Sequence, residues 1–403
     1  MLKFSDFPVF AFPGLLLAGL LLAGFSGLCF AGHLEIDIAY FTQQKKLPPP
    51  LSNLEPYIAD KGIQGAQLAI RDNNTTGQFT DQKFHLHEVF VPIDGDVMVS
   101  FKKLLTDGYQ LIIVNLDSDQ LRQIAVMPEA RQVLLFDIAT RDDQLRQSAC
   151  FANVLYLPPS RAMRADALAQ YMLKKRWRDW FLVIGPDQQD RLYAAAVKRS
   201  AKRYGMKIVA EKTWQHSYDA RRTAQSDVPV FTQGVDYDVL VVADEKGLFG
   251  EYLSYRTWKP RLVIGTQGLV ATSWHRAHEQ WGAVQIQNRF KEQAGRWMEE
   301  EDYSAYLAVR SIGEAATRSH ANDSAAIRKY IFSSDFALQG YKGRPLTYRP
   351  WNGQLRQPVL LAAPRSIVSV APLEGFLHPR NELDSLGFDQ SETTCQSNEE
   401  SIK

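Results

Sequence analysis

From residue 34 onward, apolar runs of strand length alternate with amphipathic segments of helix length, and no other feature constrains the fold as tightly. Strands that alternate with helices pair in parallel, because each crossover helix returns the chain to the same end of the sheet. Strands are predicted at 34–41, 84–91, 111–115 and 133–137. Helices are predicted at 55–71, where Ile58, Ile63, Ala66 and Ile70 share a face, and at 97–106. Leu157-Pro158-Pro159-Ser160-Arg161 breaks the rhythm, since adjacent prolines neither continue a helix nor pair fully in a sheet.

The alternation then restarts with helix 162–176, strand 180–185, helix 189–204, and strands 207–211, 239–243 and 261–265. Helices at 302–316 and 324–332 follow, and short antiparallel strands at 346–348, 357–362 and 367–370 flank the Trp351-Asn352-Gly353 turn. The expected fold is two α/β lobes, each a mainly parallel sheet flanked by helices. Residues 32–157 and 288–343 would form the first lobe, 158–287 and 344–375 the second, and 376–403 a polar tail. The chain would cross between the lobes near Pro158, Gln287 and Gly343.

Residues 1–31 read as an export signal: Lys3, an apolar run from 7 to 30, then Cys29 and Ala31 as a small-x-small cleavage site. Two other readings stay open, a retained anchor of bilayer length and a lipoprotein acylated at Cys29. Cleavage places the protein in the periplasm. There the two remaining cysteines, Cys150 and Cys395, are expected to pair. Lys plus Arg (46) nearly balances Asp plus Glu (45), so nothing global points to nucleic acid.

No nucleophile elbow, phosphate loop, dinucleotide fingerprint or zinc-protease motif is present, which argues against an enzyme, and no cofactor is expected. His85 and His87 share a strand face, and His275 and His278 sit near Glu279. Polar packing explains both pairs better than a metal. More informative are the loops after the predicted strands, because open parallel sheets bind ligands at those ends. They are Asn115 to Ser118, Ile138 to Arg141, Gly185 to Gln188, Asp244 to Lys246 and Gly265 to Gly268. The first two would present free N–H groups and a hydroxyl suited to a carboxylate, and the other three are their second-lobe equivalents.

On this arrangement the chain resembles the type I periplasmic solute-binding proteins of the leucine/isoleucine/valine-binding branch. That resemblance implies that a ligand carboxylate meets Ser118, with its neighbour Asp117, and the Ala139-Thr140 turn. It also places Gln267 where the branch has an acid for the ligand's amino group, with Asp187 or Glu245 as substitute acceptors. Pro159-Ser160-Arg161-Ala162-Met163 and the run from Arg349 to Asp384, including Trp351-Asn352-Gly353-Gln354, resemble the subfamily found with pyrroloquinoline-quinone-dependent alcohol dehydrogenase systems.

The resemblance implies a monomeric substrate-binding component that delivers a small molecule to an ABC transporter permease, with a periplasmic quinoprotein dehydrogenase as a further partner. The alternatives are a sensing or assembly partner of that quinoprotein and a branched-chain amino acid receptor. Pyrroloquinoline quinone itself is one candidate ligand. A flat aromatic tricarboxylate needs cations and stacking rings, for which Arg141, Lys246, Trp258 and Trp274 are of the required kinds. Intact-mass measurement of periplasmic protein should give a chain beginning at Gly32; a mass retaining residues 1–31 would remove the cleavage site.

Overall fold

The computed structural model describes residues 33–46, 58–215, 224–254 and 256–395; the export segment lies outside the described residues. Strands β1 (Leu34–Gln43), β2 (Gln82–Val91), β3 (Leu111–Asn115), β4 (Leu134–Asp137) and β5 (Val154–Tyr156) form a parallel sheet in the order β2-β1-β3-β4-β5. Helices α1 (Ile63–Thr80), α2 (Val97–Thr106), α3 (Ser118–Ala125) and α4 (Gln144–Gln147) make its crossovers. Apolar side chains cover both faces, with Ile36, Ile38 and Phe136 on one and Phe41, Ile112 and Leu135 on the other. This double burial explains why the strands read as continuous apolar runs.

Helix α5 (Arg161–Lys175) leads into the second sheet. It holds β6 (Asp179–Ile184), β7 (Lys207–Thr213), β8 (Val239–Ala243), β9 (Leu262–Gly265) and β10 (Leu269–Thr272), with α6 (Gln188–Tyr204), α7 (Ala224–Thr232) and α8 (Gly250–Leu253) between them. The parallel order β7-β6-β8-β9-β10 repeats the topology of the first sheet. In both sheets the strand order reverses at one point, between β1 and β3 and between β6 and β8. Ligands of open α/β sheets bind at the carboxyl ends beside such a point.

Helices α9 (Ala283–Ala294), α10 (Glu300–Ser319) and α11 (Ser324–Ile331) pack back on the first sheet, burying Phe290, Tyr306, Ile312 and Ile327 in its core. A small ladder of β11 (Leu338–Gln339), β12 (Pro345–Tyr348) and β13 (Leu355–Arg356) stays with that core through Leu346, Tyr348 and Leu355. Strand β14 (Val359–Ala363) then joins the second sheet antiparallel to β10, and β15 (Ser366–Ala371) pairs antiparallel to β14 at the edge. Trp274 and Ala283 also belong to the first core, whereas Val359 belongs to the second. On this packing we place the second crossing at Ser273 rather than near Gln287, and the third at Gln357-Pro358 rather than near Gly343.

Helix α1 begins at Ile63, not at residue 55, because Gly62 takes a left-handed conformation (φ 91°) and gives its N–H to Asp302 Oδ1 at 2.8 Å. Residues 58–62 are therefore not helical, and 51–57 lie outside the described residues. Helices α1 and α10 approach closely at Gly65, where an added methyl would overlap the Asp302 carbonyl, and at Gly313, where it would meet the Asn73 amide. Overpacking of this kind forces backbone shifts. Gly65→Ala should cost about 1–3 kcal/mol in urea unfolding; an unchanged midpoint would show that the helix pair yields.

Candidate functional site

At the carboxyl end of the first sheet, Tyr40 gives its hydroxyl hydrogen to the Lys61 carbonyl at 3.2 Å and accepts from Asn115 Nδ2 at 3.1 Å. Asp117 caps α3, accepting the Gln120 N–H at 2.9 Å, while the Gln120 side chain caps in return. Ser118 opens the helix, half-buried, and its hydroxyl has no hydrogen-bond partner among the described residues.

The turn after β4 is wired inward. Asp137, fully buried, accepts the N–H of Ala139 at 3.1 Å and of Thr140 at 3.0 Å, together with the Thr140 hydroxyl. Burial pushes its carboxyl above the ordinary range, against the pull of Arg146 and Thr140. The Arg146 guanidinium lies 4.2 Å over the Tyr156 ring and donates to the Thr140 hydroxyl and carbonyl. The donors expected to meet a ligand carboxylate at Ala139 and Thr140 are thus already bonded to a carboxylate of the chain itself.

The second sheet repeats the device. Asp190 accepts the N–H groups of Asp187 and Glu245 at 3.2 and 2.8 Å. Asp244 collects those of Leu248, Phe249 and Gly250 at 2.7–2.9 Å. Across the switch point between β6 and β8, Asp187 pairs with Lys246 at 2.9 Å. Gln267, half-buried, packs its side chain over Gly250.

Charged side chains gather beside these turns. Arg141 and Arg164 both reach Glu300 Oε2, at 3.0 and 2.6 Å, and the Ser273 N–H reaches Oε1 at 2.6 Å. Burial alone would raise the Glu300 carboxyl, but Arg164 and Arg141 outweigh it and hold it well below the usual carboxylate range. Two guanidiniums share one carboxylate, and Glu245 and Glu301 also lie within electrostatic reach of Arg141. Arg141 remains 30% exposed, so it is the open member of the trio. Nearby, Arg161 forks onto both oxygens of Glu245 at 2.9 and 2.5 Å and also meets Gln189. Tyr193 is buried within electrostatic reach of Arg164, Glu245 and Arg141, and its hydroxyl bonds no described residue.

A family profile described as "periplasmic binding protein" matches residues 57–225. A branched-chain amino acid ABC transporter periplasmic ligand-binding protein from Burkholderia xenovorans superposes with a TM-score of 0.70 at 16% identity, covering 90% of this chain and 100% of its own. The R. palustris ABC transporter solute-binding protein in complex with benzoate gives 0.61 at 10% identity over 84% and 96%. The Streptococcus pneumoniae branched-chain amino acid transporter substrate-binding protein in complex with isoleucine gives 0.60 at 13% over 83% and 98%. No curated protein matches the chain. The fold is that of the type I periplasmic binding proteins.

In this periplasmic-binding-protein fold the expected site residues separate. Ser118, Arg141, Asp187 and Lys246 all lie at carboxyl ends of parallel strands. Trp274 follows β10 but is buried, stacked 4.3 Å from Tyr303 and edge-on to His278, so one of its faces is already covered. Trp258 precedes β9 and is 61% exposed, at the amino end of the sheet, away from the cleft. Trp351 is held between the Arg349 and Arg356 guanidiniums in the hinge. Both histidine pairs have protein partners: His85 meets Glu35, His87 stacks on Tyr109, His278 donates to the Tyr341 carbonyl at 2.7 Å, and His275 accepts from Ala277. No three His, Cys, Asp or Glu groups among the described residues converge on a metal-sized site.

A groove of about 1200 Å³ beside Gln110, Arg131, Asn153 and Arg328 opens at the amino ends of β3 to β5, the wrong end for a switch-point ligand. Arg164, Tyr193 and Glu300 were not expected, because they sit on helices rather than in the loops that follow strands. Their one sequence signal is Arg164's place in the turn after the Pro158-Pro159 crossing.

Removing Arg164 leaves Glu300 buried with only Arg141 as a cation. Arg164→Met should therefore destabilise by about 3–5 kcal/mol at neutral pH. A lowered folded-state pKa gives stability that is present above the unfolded value near 4.5 and lost as pH falls below it. The deficit should accordingly shrink below pH 4.5; a pH-independent difference in urea melts would show that the ion pair is not its source.

Proposed function

We propose that this chain is the substrate-binding component of an ABC transporter, working as a monomer in the periplasm and handing a small carboxylate-bearing solute to a permease. The family profile and the transport functions of the structural neighbours support this role. The observation that carries the ligand class is the pair of guanidiniums, Arg141 and Arg164, on the single carboxylate of Glu300. An anion entering the cleft would meet the part-exposed Arg141 guanidinium, with the Ser118 and Tyr193 hydroxyls as further donors.

A ligand ammonium is less well served. Gln267 is neutral, while Asp187 and Glu245 are engaged by Lys246 and Arg161. Carboxylates without an amino group, such as aromatic acids, therefore fit better than simple amino acids, and pyrroloquinoline quinone belongs to that class. The link to a quinoprotein system rests on the segments near Pro159 and Arg349, which, apart from Arg161, build the crossing and the ladder beside it rather than line the cleft. It speaks to lineage and partner more than to ligand contacts.

Calorimetric titration of the wild type and Arg141→Ala with pyrroloquinoline quinone, benzoate and leucine tests the reading. A carboxylate should bind, and the variant should bind it about 10- to 150-fold more weakly, the equivalent of roughly 1.5–3 kcal/mol for a charge-assisted hydrogen bond. Tight leucine binding with no heat from the other two would overturn the ligand class. Unchanged affinity in the variant would take Arg141 out of the site.

A further inference from the structure

The residues after β15 fold back across both lobes. Leu386 is buried in the second core, and the Gly387 N–H is held by Asp166 of α5 at 2.9 Å. The Gly387 carbonyl accepts from Arg199 and Arg203 of α6 at 2.8 and 2.7 Å, and the same two arginines pair with Glu392 at 3.3 and 3.4 Å. Asp384 is clamped by Arg349 and Arg356 of the hinge segment, each with a bond of 2.8 Å.

The next residues belong to the first lobe. Thr393 Oγ1 and the Thr394 N–H both donate to the Gln147 carbonyl at 2.8 Å, and Cys395 forms a disulfide with Cys150, Cα to Cα 5.6 Å. Anchors on opposite lobes are therefore consecutive residues, Glu392 and Thr393. One trans peptide fixes their Cα atoms about 3.8 Å apart, so the tail has no slack at the junction. The junction also lies beside the first crossing, because the Arg146 carbonyl accepts from Asn352 and Thr393 while Gln354 bonds both the Arg146 guanidinium and the Pro158 carbonyl.

We infer that the tail is a covalently locked strap, a fourth connection that confines the lobes to bending about the hinge and removes twisting and sliding from the open state. A strap placed off the hinge would block opening. One placed at it without slack narrows the open ensemble and leaves the closed state alone. With the disulfide intact, less conformational freedom is lost on closure, which favours binding. Breaking Cys150–Cys395 leaves the hydrogen bonds at Arg146 and Gln147 to hold the first-lobe end, and those yield to solvent.

The test needs no ligand. Spin labels on ketone-bearing side chains at exposed Val99 and Val230 report the distance between the lobes. That distance is measured in the oxidised protein, after reduction with both thiols alkylated, and after reoxidation of an unalkylated reduced sample. Reduction should shift the distribution to longer and broader distances, reoxidation should reverse the shift, and near-ultraviolet circular dichroism should stay unchanged, which excludes unfolding as the cause. A Cys150→Ser/Cys395→Ser variant should match the reduced protein. Identical distributions with the alkylated tail free would overturn the strap; so would broadening accompanied by lost tertiary dichroism.

Discussion

Glu300 is the point on which the two lobes meet. Its carboxylate takes Arg141 from the first lobe, Arg164 from the helix that opens the second, and the Ser273 N–H from the crossing between them. A buried carboxylate with three donors is tolerable only because the guanidiniums offset its desolvation. The arrangement also fixes where Arg164 and Arg141 stand relative to each other across the cleft.

The strand ends explain why the site relies on side chains. A parallel sheet normally offers its carboxyl-terminal turns as anion receptors, since the N–H groups entering each helix are unpaired. Here Asp117, Asp137, Asp190 and Asp244 each take part of the N–H donors at these turns. The turns are consequently partly satisfied before any solute arrives. On the proposed reading, recognition rests on the side chains of Arg141, Arg164, Tyr193 and Ser118. Such groups discriminate by charge and shape more than by the fixed geometry of a backbone cradle.

The alternation of strand and helix was legible because doubly covered parallel strands must be apolar throughout, and most predicted elements fall within a few residues of the observed ones. The misses have local causes. Val154–Tyr156 and Leu269–Thr272 are strands of three and four residues, too short to stand out, and α9 follows a turn in which Trp281 and Gly282 both take positive φ. The site was half legible. Loop residues after strands were found by position, but no pattern shows that an aspartate at a strand end turns inward. Trp258 was misjudged although its place before a strand already set it at the sheet's other end.

The central claim, that a carboxylate-bearing solute binds in this cleft, is tested most directly by mass spectrometry of the small molecules released when the protein is purified from its own periplasm and denatured. The account predicts an organic acid near one per chain, absent from an Arg141→Ala preparation made in parallel. Recovery of an uncharged sugar or a cationic metabolite at that ratio would contradict it.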